Sequence, residues 1–293
     1  MRKQEEIIQN FSNTTKDAYT SRDTGWKKDA DKLFFGKKWS HEVSKLLKEE
    51  IMQNAKEEVL IVSPTANTAS NELDIFNELK KGNDNIRFIA GDIAEVEVDK
   101  RISETNNFSY ARLNALELPF SKHSIDFIFD KKGLLWHVCA EAIGSNEKDV
   151  LFQKALDEYF RVLKEKNGSI IIDAIEDEYA INIADKEAIE KQKTECIKTY
   201  AGDEVKYNEE NSQSSFFVFK SNPKVANLTD EQLADKTTLN EKGILQKEPS
   251  TYSLLMYILE QNEDLKKYFE ENYECTVIGS KKPHLLAKIK KIK

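Results

Sequence analysis

The sequence predicts an α/β protein with a doubly wound, mostly parallel seven-stranded sheet, a C-terminal antiparallel hairpin and an insertion after strand five. Three observations predict it. Short apolar runs, VLIV at 59–62, IRFIA at 86–90, IDFIF at 125–129 and SIII at 169–172, alternate with segments whose apolar residues recur at helical spacing. The chain closes on two strand-like segments, 273–278 and 285–292, around Gly279 and Pro283. Between these regions, from 176 to 250, the periodicity fades.

Taken in order, residues 1–56 form a leader and first helix. The leader is polar, with aromatics at Phe11, Tyr19, Trp26, Phe34, Phe35 and Trp39, and no period fixes its structure; it reads as a lid or a packed leader. Ser40 reads as the N-cap of a helix carrying Val43, Leu46, Leu47 and Ile51. The run at 59–62 has no polar alternation, as suits a central parallel strand buried on both faces. Leu73, Phe76 and Leu79 mark a helix stopping near Gly82, and 86–90 is a second strand running into Gly91 and Asp92. A shorter strand follows at 110–116, then the one at 125–129. Val150, Leu151, Leu156, Tyr159 and Leu163 line a helix expected to end at Asn167 and Gly168, before the strand at 169–172. Strands joined through helices in this way give parallel pairing with right-handed crossovers.

Within 176–250 the text gives a charged helical stretch to Thr199, an apolar run at 216–219 and a capping box of Thr229 with Gln232. An amphipathic helix then carries Leu254, Leu255, Ile258 and Leu259 to about Phe269. The α/β domain therefore spans 57–175 and 251–293, with 176–250 as an insertion or cap.

Charged residues make up 33% of the 293 and hydrophobic ones 39%, enough apolar material for a buried sheet under an ionised surface. The net charge of -8 repels phosphate backbones and argues against a nucleic-acid partner. The basic tail KIKKIK, 288–293, reads instead as an edge strand with exposed lysines, which discourage edge pairing. Three scattered cysteines make no disulfide framework and fit a reducing, cytoplasmic setting. No apolar stretch of about 18 residues is present, so no membrane span is expected. Four histidines at scattered positions give no metal-ligand spacing.

Two segments carry a family resemblance: NALELPFSKHSIDFIFD at 114–130 and LDEYFRVLKEKNGSIIIDAI at 156–175. Together they resemble the second half of a class I S-adenosylmethionine-dependent methyltransferase, a family with a seven-stranded sheet finished by a C-terminal hairpin. The resemblance implies S-adenosylmethionine as cofactor and a small-molecule or protein acceptor as substrate. It implies Asp92 as the acid holding the cofactor's ribose hydroxyls, since a carboxylate offers two acceptor oxygens in one plane. NALELPF resembles the family's acid-Ala-x-x-x-Pro-Phe segment, with Asn114 in place of the acid that faces the adenine amine and Ala115 beside it. The loop KKGLLWHV after the fourth strand puts Asp130, Trp136 and His137 nearest the transferred methyl. Asp130 and His137 are the catalytic candidates, His137 because its ordinary pKa lies near neutrality. Each has a plainer structural reading: Asp92 as a cap, Asn114 as an Asx turn, His137 as a loop residue.

One departure stands out. In the family the first strand runs into an acid and a Gly-x-Gly-x-Gly loop, whereas this chain reads VLIVSPTANTAS, with Ile61 at the acid and Ser63, Thr65 and Asn67 at the glycines. Asn67 tolerates a left-handed backbone, but β-branched Thr65 does so at a cost of about 1–3 kcal/mol, so a changed loop path is expected. Ser63, Thr65, Asn67, Asp92, Asn114 and Ala115 are the expected cofactor residues. The alternative is a methyltransferase-like binding or scaffold protein that has lost the cofactor.

Overall fold

The computed structural model describes residues 2–21, 37–54, 58–81, 85–142, 149–174, 250–279 and 285–292. Two helices, α1 (Arg2–Ser21) and α2 (Lys37–Asn54), precede the sheet. The chain then alternates β1 (Val59–Ser63), α3 (Ser70–Lys80) and β2 (Ile86–Asp92), and passes through a short 3-10 helix, Lys100–Glu104, to β3 (Phe108–Arg112). Next come β4 (Phe127–Asp130), α4 (Leu134–Ala142), α5 (Asp149–Val162) and β5 (Ser169–Asp173). After the residues at 175–249 follow α6 (Thr251–Gln261), α7 (Glu263–Asn272), β6 (Tyr273–Ile278) and β7 (Leu286–Lys291).

The seven strands lie in the order β3-β2-β1-β4-β5-β7-β6. The first five are parallel, while β7 runs antiparallel to both β5 and β6. Every residue of β4 and β5 is buried, because helices cover both faces. On one face Val43, Leu47 and Ile51 of α2 and Leu73, Phe76 and Leu79 of α3 pack against Ile61, Phe88, Phe127, Phe129 and Ile171. On the other, α4, α5 and α6 pack against Val62, Ile128, Ile170 and Ile172, and α1 adds Phe11. No helix among the described residues is long and apolar enough to cross a membrane.

Several expectations change. The leader includes a twenty-residue helix, α1, which packs Ile7, Ile8 and Phe11 against the core. α2 starts at Lys37, so Ser40 is no cap; it sits buried in the first turn with its hydroxyl directed at Asn71 Oδ1, 3.5 Å away. α5 ends at Val162, earlier than Asn167, and the text read as a loop after the fourth strand contains α4. The helix expected to run to Phe269 breaks at Asn262, whose side chain accepts from Leu265 N at 3.0 Å and caps α7. The tail is not an edge: β7 is inserted between β5 and β6, Ile289 is fully buried, and Lys288 donates to Glu50 Oε2 of α2 at 2.5 Å. The features read in 176–249, the stop at Gly82 and the turn at Pro283 lie outside the described residues.

Candidate functional site

Ligands of open α/β sheets bind beyond the carboxyl ends of the strands, where connections leave in opposite directions. In this order that point lies between β1 and β4, and four loops converge on it.

The loop after β1 is fastened to β2. Ala66 N donates to Gly91 O at 2.7 Å, and Asn67 N to Asp92 Oδ2 at 3.1 Å. The Tyr110 hydroxyl of β3 donates to Asn67 O at 3.0 Å. Asn67 and Ala69 take left-handed backbones, with φ of 49° and 59°, and Thr65 does not. The loop thus follows a path that spares its β-branched residue, as expected, though one of the two left-handed positions falls on an alanine. Such a conformation is accessible to Asn through local hydrogen bonding and costs Ala about 1 kcal/mol.

Asp92, at the tip of β2, is nearly buried, and its Oδ1 accepts from Ala94 N at 2.9 Å. Each carboxylate oxygen therefore accepts one backbone amide. Leu113 N donates to Asp92 O at 2.9 Å, which brings the segment after β3 alongside. In that segment Asn114 Oδ1 accepts from Leu116 N at 3.1 Å, an Asx turn, and Ala115 is buried. Ser63 closes β1, fully buried, and its hydroxyl has no hydrogen-bond partner among the described residues.

Across the switch point, Asp130 at the end of β4 is completely buried. Its Oδ1 accepts from Thr65 Oγ1 at 3.3 Å; its Oδ2 accepts from Leu135 N at 2.9 Å and from the Tyr159 hydroxyl at 3.1 Å. Burial pushes this carboxyl up to about 6, against the opposing pull of the Leu135 amide. Burial likewise pushes the Cys139 thiol of α4 up, as befits a core cysteine. Gly133 makes the contact possible, since a Cβ there would lie 1.9 Å from Thr65 Oγ1 and 2.0 Å from Asp130 Oδ1. His137 is not a loop residue: it lies buried in α4, its N–H bonded to Gly133 O and its ring 5.2 Å from that of Trp136. Hydrogen bonds thus join Thr65 to Asp130, Asn67 to Asp92, and Asp92 to the residue before Asn114, while the Ser63 hydroxyl stands outside these links and His137 one helical turn behind Gly133.

Two arrangements escaped the sequence reading. Lys131, next after Asp130, forms an ion pair with Glu72 in the first turn of α3, Nζ to Oε1 at 3.2 Å, with side-chain exposures of 4% and 0%. Removing such ions from water costs several kcal/mol each, which only a close pairing offsets. Farther back, Glu158 of α5 accepts from Leu118 N at 2.6 Å, while Arg161 donates to Glu158, to Leu118 O at 2.8 Å and to Phe120 O at 3.0 Å. That clamp sets the path of the segment following Asn114. An acidic residue three before an arginine on a helix was the available signal, but its targets lie some forty residues upstream.

No known protein family matches the sequence, and no curated protein does. Among solved structures, a SAM-dependent methyltransferase from Aquifex aeolicus is 17% identical, with 54% of this chain and 76% of that one covered, at a TM-score of 0.38. The 1,6-didemethyltoxoflavin N1-methyltransferase of Burkholderia thailandensis, solved with S-adenosylhomocysteine, is 12% identical over 58% of this chain and 65% of that one, at 0.41. The cyclase SpnF is 14% identical over 47% of this chain, at 0.33, and the match spans 46% of that protein's length. These likenesses are distant, and the strand order and directions carry the assignment. The chain has a Rossmann-like fold, with the strand order and directions of class I methyltransferases. Its five parallel strands and antiparallel end are arranged as in that fold.

Proposed function

We propose that this chain is an S-adenosylmethionine-dependent methyltransferase acting on a small-molecule or protein acceptor in the cytoplasm. The observation that carries the reading is Asp92: a nearly buried carboxylate at the tip of β2, on a sheet whose order reverses one strand away. The fit to the cofactor is otherwise mixed. Ser63 offers a buried hydroxyl without a partner among the described residues, whereas Ile61 offers an apolar side chain where the family has an acid. Asp92 would take the ribose hydroxyls, Asn114 and Ala115 the adenine side, and Ser63, Thr65 and Asn67 the turn beneath. The bound cofactor would supply an electrophilic methyl group. The protein's share is to hold the acceptor in line and keep water out, which suits positioning by rigid strand tips. Asp130, at the β4 tip and raised toward neutrality, would orient the acceptor.

A second reading, a binding protein without activity, draws on the loop itself: Asn67 N already takes an Asp92 oxygen and Thr65 already spans to Asp130. Calorimetric titration with S-adenosylhomocysteine decides between them. Micromolar binding that weakens at least tenfold in Asp92→Asn supports the enzyme. Absence of heat at millimolar ligand supports the binding protein.

A further inference from the structure

Asp130 is a fully buried carboxyl group that meets no cation. Its hydrogen-bond partners among the described residues are the Thr65 hydroxyl, the Leu135 amide and the Tyr159 hydroxyl, all of them neutral. Lys131, the adjacent residue, pairs instead with Glu72 of α3. Asp173, equally buried at the tip of β5, adds like-charge repulsion, and its Oδ1 accepts from Lys132 N at 2.8 Å, which holds the turn after Asp130. The buried titratable groups on the covering helices are His137 and Cys139 of α4 and Tyr159 of α5. Burial and the Asp130 charge push the Cys139 thiol and the Tyr159 hydroxyl up, so neither ionises in step with Asp130. A carboxylate placed in this way is poorly compensated when charged, and the site suits its neutral form better.

The loop after β1 seals that carboxyl group. Thr65 lies on Oδ1 and so close to Gly133 that a Cβ there would find no room. The next residues of the loop are fastened on the other side, Ala66 N to Gly91 O, Asn67 N to Asp92 Oδ2 and Thr68 O to Asp99 N at 3.0 Å. A seam therefore runs between Thr65 and Asp130. Backbone strain collects along it: of the five non-glycine residues with positive φ among the described residues, Asn67, Ala69 and Lys132, the last at 42°, lie on the two loops that meet there. We propose that this seam is a proton-operated closure, shut while Asp130 carries its proton and parting as the carboxyl group ionises and takes up water. Ionisation strengthens the Thr65 hydrogen bond, but desolvation of the charge is the larger effect, so charge opens the seam rather than tightening it. The device acts on the protein's own conformation and is independent of which ligand the site takes.

Hydrogen exchange of the segments 63–69 and 130–136, corrected for the intrinsic pH dependence of amide exchange, reads the opening. Linkage sets its size: a carboxyl group at about 6 when sealed and about 3.9 when solvated opens more readily as pH rises between those values, by up to about 100-fold. The expected result is an increase of about fivefold or more from pH 4 to pH 7, unmoved by dilute denaturant, which separates local opening from global unfolding. Asp130→Asn should hold the change to about twofold or less, and His137→Gln should leave it in place. Thr65→Val removes the tie and keeps the carboxyl group; it should raise opening at pH 7 by about threefold or more, and it carries the test if Asp130→Asn unfolds. A flat wild-type profile overturns the closure, as does a pH dependence that survives Asp130→Asn or vanishes in His137→Gln. Exchange at the seam only at the rate of global unfolding overturns it too, and so does unchanged opening in Thr65→Val.

Discussion

The Thr65 hydroxyl donates to Asp130 Oδ1 at 3.3 Å, joining the loop after β1 to the tip of β4 across the switch point of the sheet. The contact depends on Gly133, where any side chain would intrude on both partners at once. Gly133→Ala should push Thr65 and Asp130 apart and destabilise the fold by about 1–3 kcal/mol, the usual cost of overpacking. Denaturant unfolding measures this. A change below about 0.5 kcal/mol would mean that the loop yields freely.

Asp130 should leave a signature in the pH dependence of stability. Its carboxyl is pushed up to about 6 by burial, while the unfolded value is about 3.9. The native state therefore holds this proton more tightly, so the contribution is complete below about pH 4 and is lost as pH rises through about 6. Over that window it amounts to about 3 kcal/mol, opposite in sign to the common salt-bridged carboxylate. Asp130→Asn abolishes the titration. Unfolding curves of the two proteins between pH 4 and 7 should diverge, the variant gaining relative stability as pH rises, and parallel curves would contradict the assignment.

Arg161 organises the segment between Asn114 and Phe120 by donating to two of its carbonyls and to Glu158. Arg161→Met leaves Glu158 nearly buried without its cation, and should cost about 2 kcal/mol and loosen the segment. Arg161→Lys should recover less than half of the loss, since an ammonium lacks the planar fork that reaches several acceptors. Thermal melts rank the three proteins, and hydrogen exchange at residues 114–120 reports the segment directly.

At Asn67 the left-handed backbone sets the tolerance to substitution. Asn67→Gly should be within about 0.5 kcal/mol of the parent, whereas Asn67→Val should cost about 1–2 kcal/mol, because a β-branched side chain opposes positive φ. Equal stability of the two variants would show a different loop conformation in solution.

The architecture was legible wherever it is local. VLIV forms a largely buried strand, IDFIF supplies Phe127 to Phe129 of another that starts two residues later than expected, and the helix carrying Leu156 and Tyr159 packs as its period implies, because burial on a sheet imposes periodicities that a single sequence displays. The lysine-rich tail shows the limit. Its alternation announces a strand, but its place beside β5 is set by contacts with residues over a hundred positions away. The loss of glycines after β1 was plain. That the left-handed positions would be Asn67 and Ala69 depends on bonds to Gly91 and Asp92, which local sequence does not encode. Glu72 and Lys131 are two charges in a chain where a third of residues are ionised, and nothing local in the sequence announces that they meet in a buried pair.

β7 is the last strand in chain order, yet it lies between β5 and β6. During synthesis β5, with five buried residues and a row of free backbone groups along one side, must wait while α6, α7 and β6 emerge. Closure of the sheet is thus a late, long-range event, and the nascent chain exposes an adhesive flank for as long as translation of the intervening stretch takes.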